Sequence, residues 1–425
     1  MSRDYNLAWE VTGNCNHNCF YCYNYWRTDP SAADSCQGVD YARITERLLA
    51  IHPVSVALTG GEPLLVFDKI KPSITHFAES GVFLRLLTNG TLVTPEIAAF
   101  LAQHRVQLMV SFPAQDAERF ATITQRDHYD QVIRGLDLLK EHHCDVLINV
   151  VVSKVNLEDM RATADFLIRR YGFKTLYFSR ATKPHNASDQ LREQLLDNEA
   201  LQIFFDTCLE IKKQYDIDVR TCGGYAYCAI RNPEAIPLFA KGCGGGKSSF
   251  VISNSGDVRV CGKDSQVFGN LFTDQVDAIM DRAAFWTDDS AIPEACGQCR
   301  HRYRCRGGCH MSSRDAVPAY NSLDFNADPT NIPVIPVVRH FTFRNPFRRY
   351  KLNKAANFCQ TENGNRFSCG FSFVYLSDPL TAALRRGKPI TLFSVVGKSG
   401  CSLQRSKRLL RELLDKKIIT EIGNG

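Results

Sequence analysis

Residues 1 to about 220 alternate short apolar runs with helical patterns, and that alternation limits the possible folds more than any other feature of the chain. The runs are Leu7 to Thr12, Val54 to Leu58, Val82 to Leu87, Val106 to Val110, Val146 to Val152 and Thr175 to Phe178. Most are short and nearly continuous in apolar residues, as strands buried on both faces tend to be. Between them, Tyr41 to Ile51, Pro95 to His104, Tyr129 to His142 and Leu157 to Tyr171 repeat with helical spacing. Strand–helix alternation with short loops predicts an α/β fold, a parallel sheet wrapped by helices that is either barrel-like or doubly wound.

The rest of the chain reads differently. From about 220 to 335, cysteine and glycine rise and helical periodicity fades, apart from Thr273 to Arg282. Such a stretch buries little apolar surface, so metal ligation is its natural staple. Prolines crowd Ala327 to Pro336, as in a linker. Beyond it come strand-like pieces at Arg348 to Leu352, Asn357 to Thr361 and Arg366 to Leu376, with Gly364 in a turn. Helical patterns follow at Asp378 to Arg386, Thr391 to Val396 and Ser402 to Leu414, then a short strand at Ile418 to Ile422. Three units are expected: 1–220, 221–335 and 336–425. That number suits a length of 425 residues.

Composition narrows the function classes. With 44% apolar and 23% charged residues the chain is neither mainly disordered nor fibrous. A net charge of +6 does not by itself argue for a nucleic-acid partner. No apolar run approaches the roughly 18 residues of a membrane span, and Met1 to Tyr5 opens no secretory signal. A cytoplasmic protein with no membrane association is expected. There, 17 cysteines point to metal ligation before disulfides.

Cys15-Asn-His-Asn-Cys19-Phe-Tyr-Cys22 has the spacing C-x3-C-x2-C, directly after the first apparent strand. Three thiolates so close can hold three irons of a 4Fe–4S cube and leave the fourth iron for a small molecule. A zinc site completed by His17 is the alternative reading. With Tyr21 in its aromatic place, the triplet resembles the signature of the radical SAM superfamily. Thr59-Gly60-Gly61-Glu62-Pro63, after the strand Val54 to Leu58, is similar to that family's segment contacting the amino group of S-adenosylmethionine (SAM). Glycines there would let backbone approach a ligand closely. Asn89, in Thr88-Asn89-Gly90, could face the same mouth, and Ser111 is similar in position to the family's ribose-binding serine. Arg119 or Arg126 could reach the SAM carboxylate. Asn149 reads equally as a sheet asparagine. Over residues 1 to about 220 the resemblance implies a partial (β/α)6 barrel, a 4Fe–4S cluster, SAM, and hydrogen abstraction by a deoxyadenosyl radical.

Further on, Cys243, Gly256 and Cys261 give C-x12-G-x4-C, and Cys296, Cys299, Cys305 and Cys309 give C-x2-C-x5-C-x3-C. Six thiolates suit two metal centres, with paired zinc ribbons as the rival. The pattern resembles the SPASM extension of radical SAM enzymes. That resemblance implies two auxiliary iron–sulfur clusters, one on Cys243, Cys261 and Cys309 and one on Cys296, Cys299 and Cys305. It also implies a fourth ligand for the first from just upstream, where Cys228 and Cys222 are candidates, Cys228 preferred. The family's closing cysteine soon after an Asp-Pro pair is missing here, since Asp328-Pro329 leads to Thr330-Asn331. Asp324 or Asp328 could replace it. Cys36, Cys144, Cys208, Cys359, Cys369 and Cys401 read as ordinary packing residues.

The order of elements in 336–425 resembles the small α+β winged helix that recognises peptides in the maturation of ribosomally made peptides. The resemblance implies that a leader peptide adds itself to an exposed sheet edge. DNA binding is the rival, because Lys398, Arg405, Lys407, Arg408 and Arg411 make the last long helix basic. Together the resemblances imply a radical SAM oxidoreductase that cross-links a precursor peptide through a carbon–carbon, ether or thioether bond. Its electron donor would be a flavodoxin or ferredoxin. A formylglycine-type maturase of a folded protein and a metal-containing DNA-binding regulator are the alternatives.

Overall fold

The computed structural model describes residues 5–28, 38–184, 187–313, 321–333 and most of 350–421. Seven parallel strands form the frame: β1 (Asn6–Thr12), β2 (Ser55–Gly60), β3 (Phe83–Thr88), β4 (Gln107–Ser111), β5 (Asp145–Val152), β6 (Thr175–Arg180) and β7 (Asp218–Arg220). They lie side by side in chain order, each paired in parallel with the next. Parallel neighbours need a crossover, and helices supply it: α1 (Tyr41–Leu49), α2 (Phe67–Glu79), α3 (Pro95–Gln103), α4 (Ala117–Thr124), α5 (Tyr129–Glu141), α6 (Met160–Tyr171), α7 (Asp189–Gln194) and α8 (Asn198–Tyr215).

Local chemistry explains the helix starts. Asp40 accepts a hydrogen bond from the Arg43 amide at 2.9 Å, and Asp116 one from the Arg119 amide at 2.8 Å. Thr94 caps α3 with Pro95 in its first turn, where a missing N–H does no harm. The helices cover the sheet with one continuous core in which Trp9, Phe77, Phe112 and Phe120 are fully buried.

The sheet does not end at β1. From the cysteine-rich stretch, β8 (Ser249–Ile252) pairs in parallel with the free side of β1, followed by antiparallel β9 (Asp257–Arg259) and β10 (Gly269–Asn270). The sheet therefore has ten strands, in the order β10-β9-β8-β1-β2-β3-β4-β5-β6-β7. A buried ion pair between Glu10 of β1 and Arg259 of β9 reinforces the junction.

Residues 350–421 have their own apolar cluster, which includes Tyr350, Leu380, Leu384, Leu410 and Ile419. Here β11 (Tyr350–Leu352) pairs antiparallel with β15 (Ile419–Glu421). A separate three-stranded antiparallel sheet holds β12 (Asn357–Thr361), β13 (Gly364–Cys369) and β14 (Ser372–Leu376). The single strand expected over Arg366 to Leu376 is thus two, paired as a hairpin, and Gly364 opens a strand. Helices span Asp378–Arg385 and Leu403–Asp415. Most of the helix expected over 391–396 lies outside the described residues, as do Cys36, Lys398 and Cys401. Among the described residues no helix is long and apolar enough to cross a membrane.

Candidate functional site

The C-terminal ends of β1 to β6 converge on a cavity of about 370 Å³. Parallel α/β sheets present their ligand crevice at this end. Cys15, Cys19 and Cys22 enter it from the loop after β1, and Gly60, Gly61 and Glu62 from the end of β2. Asn89 follows β3 and Ser111 ends β4, both on the same wall. Arg119 and Arg126 are not on that wall. Arg119 pairs with Asp159 at 3.0 Å, and Arg126 donates to the Gln125 carbonyl. Pro63 is buried beneath, at the start of a 3-10 turn whose cap is Glu62.

The two glycines are required by the cysteine loop. A Cβ on Gly61 would lie 1.9 Å from the Asn14 carbonyl oxygen, and one on Gly60 2.3 Å from that of Thr12. Backbone bonds seal the contact, Gly61 N to Thr12 O at 2.7 Å and Glu62 N to Asn14 O at 2.8 Å. The sequence suggested glycines making room for a ligand; in the fold they make room for the loop that carries the thiols.

Glu62 is almost wholly buried. Its carboxyl accepts from the Leu64 amide (3.0 Å), the Thr88 hydroxyl (2.7 Å) and the Asn89 amide (2.8 Å). Burial pushes it up to about 7, against the lowering pull of those three donors. The Asn89 side chain donates to Asn16 at 2.7 Å, tying the β3 turn to the cysteine loop.

The thiols fit a metal centre. Burial raises Cys15 and Cys19 and holds Cys22 at about 11, so cationic metal is needed to turn them into thiolates. Donors stand ready for that charge: the His17 amide lies 3.4 Å from Cys15 Sγ, and the Tyr21 hydroxyl bonds Cys19. Arg27 clamps the loop through the His17 carbonyl at 2.6 Å. Burial lowers His17 to about 4, which keeps it neutral. Among the described residues no three His, Cys, Asp or Glu side chains converge as a single metal ion requires.

The other cysteines form two further sets. Cys309 is near enough to raise the pKa of both Cys243 and Cys261, and Cys243 that of Cys261; Cys261 and Cys309 open into the main cavity. Lys263 Nζ stands 3.7 Å from Cys309 Sγ; burial raises that thiol most, but Lys263, Arg180 and the Ser312 hydrogen bond together lower it by more, and the net shift is downward. Cys296, Cys299 and Cys305 surround a second, small cavity, and Cys228 joins them. Cys305 and Cys309 are four residues apart yet belong to different sets. The left-handed residues Arg306, Gly307 and Gly308, with φ of 55°, 81° and 88°, turn the chain between them.

Cys228 was expected beside Cys243. It stands instead with the other set because the turn Tyr227–Ala229 lies on the Cys305 loop, with Tyr227 N 3.3 Å from Cys305 Sγ. Cys222 lines the main cavity, where it faces Ser179, Arg85 and Lys241. Asp324 is committed elsewhere: it is buried against Arg180 and accepts from the Cys309 amide at 3.0 Å. Asp328 accepts from the Thr330 amide and hydroxyl. Sequence reasoning missed Ser179, Arg180 and Lys263 and set Asn149 aside, though all four line the main cavity. Arg180, the last residue of β6, carried the signal of a polar strand end; Asn149 and Ser179 lie within apolar runs. Cys144 bonds the Ala98 carbonyl and Cys208 is buried, both as packing residues.

Residues 9–167, which contain the cysteine loop, the Gly-Gly-Glu-Pro turn and Ser111, match the family model described as the radical SAM superfamily. They are a radical SAM domain. Beyond this domain the likeness to curated proteins continues. The chain is 27% identical over 338 residues to the AdoMet-dependent heme synthase of Methanosarcina barkeri, covering 74% of this chain and 93% of the relative. It is 28% identical over 315 residues to the mycofactocin maturase MftC of Mycobacterium ulcerans, covering 71% and 82%. In fold it is similar to Streptococcus suis SuiB, crystallised with the precursor peptide SuiA. The TM-score is 0.59 at 18% identity, over 75% of each chain.

Proposed function

We propose that this chain is a radical SAM maturase that cross-links a ribosomally made precursor peptide. The observation that carries the reading is one cavity lined both by the Cys15–Cys19–Cys22 loop with Glu62 and by Cys261 and Cys309. Its volume suits a small-molecule ligand. When bound, the 4Fe–4S cluster and SAM supply a deoxyadenosyl radical that takes one hydrogen from the substrate.

The chain's own residues bind and orient. Cys15, Cys19 and Cys22 would hold the cluster, in a loop that Glu62 and Asn89 tie down through Asn14 and Asn16. Glu62 receives the SAM ammonium, and Ser111 the ribose. Cys261 and Cys309, with Cys243, would hold an auxiliary cluster beside the cavity, with Lys263 offsetting its negative charge. For a cross-link, the first substrate hydrogen leaves as an atom to form deoxyadenosine. The second would leave as a proton, and an auxiliary centre held by Cys243, Cys261 and Cys309 would supply the sink for its electron. A flavodoxin or ferredoxin supplies the electron that starts each turnover. The unit 336–425 holds the leader peptide on a sheet edge; β12 and β14 flank the three-stranded sheet.

Likeness to MftC and SuiB favours the peptide substrate. Likeness to the heme synthase supports a second reading, a small-molecule substrate. Anaerobic turnover with SAM, a reductant and short peptides encoded beside the gene separates them. A product lighter by two hydrogens, without an aldehyde, is the expected result. Deoxyadenosine released with every such peptide left unmodified would reject the peptide reading, and an aldehyde would move it to the formylglycine type. Tight, salt-sensitive duplex binding without SAM turnover would return the chain to the DNA-binding class.

The state of Glu62 makes SAM binding pH-dependent. Its folded pKa is raised, so its own contribution to stability is full at low pH and is lost as pH rises through about 7. Only the carboxylate pairs with an ammonium, so SAM affinity runs the opposite way. It is expected to fall toward tenfold per pH unit below about 7. Equilibrium dialysis of SAM from about pH 6 to about pH 8 measures it. Glu62→Gln should bind weakly at both ends; a wild-type curve flat across that range would remove Glu62 from ammonium recognition.

A further inference from the structure

The cysteine-rich region contains a thiol in a place its spacing does not announce. Resting on the reading that this region carries iron–sulfur centres, we propose that Cys228 is the fourth ligand of the centre formed by Cys296, Cys299 and Cys305. It thereby takes the place of the cysteine absent after Asp328-Pro329.

Geometry carries the assignment. All four cysteines line one cavity of about 30 Å³, whose lining also includes Pro329, Ile332 and Pro333. The segment that lacks the cysteine is therefore the segment that packs on Cys228. The Asp328 amide donates to the Cys228 thiol, and Asn331 Nδ2 donates to the Cys228 carbonyl at 2.8 Å. The other sulfurs have the same kind of support: the Tyr227 amide is 3.3 Å from Cys305 Sγ and the His301 amide 3.4 Å from Cys299 Sγ. Amide donors around a set of thiolates stabilise the negative charge of an iron–sulfur centre.

Competing ligands are otherwise engaged. His301 reaches the cavity, but its Nε2 lies 2.8 Å from the Pro333 carbonyl. The Asp328 carboxylate is held within its own turn by Thr330. A four-thiol set is complete, so this centre offers no position to substrate. The set of Cys243, Cys261 and Cys309 has three thiols, two of which, Cys261 and Cys309, line the main cavity, which leaves substrate or SAM chemistry to that side.

The test is metal content and cysteine protection of the full chain, reconstituted anaerobically. Wild type should hold about twelve irons, and Cys228→Ala and Cys296→Ala should each hold about four fewer. Cys222→Ala should hold the full number. Cys228→Ser, which keeps an oxygen ligand, should retain the irons with a changed electron paramagnetic resonance spectrum. In the wild-type chain, alkylation of Cys228 should fall by about tenfold or more on loading. That readout does not depend on any variant folding.

Full iron in Cys228→Ala with an unchanged spectrum would overturn the proposal. So would four irons lost with His301→Ala instead, or a single zinc in place of iron in this set. If wild type holds only about four irons and Cys296→Ala loses none, the auxiliary-cluster reading itself falls, and Cys228 with it.

Discussion

Cys19→Ala is expected to form no deoxyadenosine above background, a loss of more than about a thousandfold. Cys19 is the middle thiol of the loop, flanked by Cys15 and Cys22 and hydrogen-bonded by Tyr21. Alanine removes one of three ligands and leaves the cluster with too few to be retained. The fold should hardly notice. The exposed face of this loop is the cavity wall, and the lost Tyr21 bond contributes about 1 kcal/mol. The informative signature is therefore an unchanged thermal melt of the iron-free protein, about four fewer irons on reconstitution, and no SAM cleavage. Deoxyadenosine at the wild-type rate would sink the assignment of the triplet to the cluster.

Arg180→Leu is expected to have the opposite signature, with a large effect on stability. The Arg180 and Asp324 side chains are 2% and 0% exposed and meet in a two-pronged pair. Arg180 also donates to Asn326 and, at 3.2 Å, to the Gly224 carbonyl, with Tyr225 stacked 4.7 Å from its guanidinium carbon. Leucine fills part of the volume but leaves a buried carboxylate without its cation, which destabilises by about 3–5 kcal/mol. Asp324 also holds the Cys309 and Asn326 amides. The disturbance should therefore reach the Cys243–Cys261–Cys309 set before it reaches the triplet. Arg180→Lys keeps a charge but loses the fork and should fall between. Urea titration of the iron-free chains measures the difference; a shift below about 1 kcal/mol would mean that the pair does not hold the two regions together.

Much of the frame was legible. Six apolar runs gave six parallel strands within a residue or two, because strands buried on both faces need no partner to reveal them. β8 was not legible. Ser249–Ile252 is four residues long, follows a glycine- and serine-rich turn, and gains its meaning only from β1, about 240 residues away. The β13–β14 hairpin was missed because one alternation, Phe367, Cys369, Phe371, Phe373 and Tyr375, runs through the sequence of both strands; Gly370 was the available signal.

In the site, the thiols, the glycine turn and the strand-end residues Asn89 and Ser111 could be read because spacing and order carry them. Asn149 and Ser179 could not. They hydrogen-bond to each other at 2.8 Å inside the sheet, and a polar residue within an apolar run looks the same whether it faces a cavity or a neighbour. Cys228 was visible as a residue but not as a member of its set, since the contact between Tyr227–Ala229 and the Cys305 loop crosses about 80 residues of chain.

The position of β1 near the middle of the sheet bears on how the protein is made. The strand leaves the ribosome about 240 residues before β8, the partner of one of its two edges. At about 5–20 residues per second, the wait for that partner is on the order of tens of seconds. Throughout it the nascent chain exposes an open row of backbone donors and acceptors beside three reactive thiols. A helper that shields this edge, or slow growth with iron delivery timed to late translation, should raise the yield of intact protein more than extra iron alone.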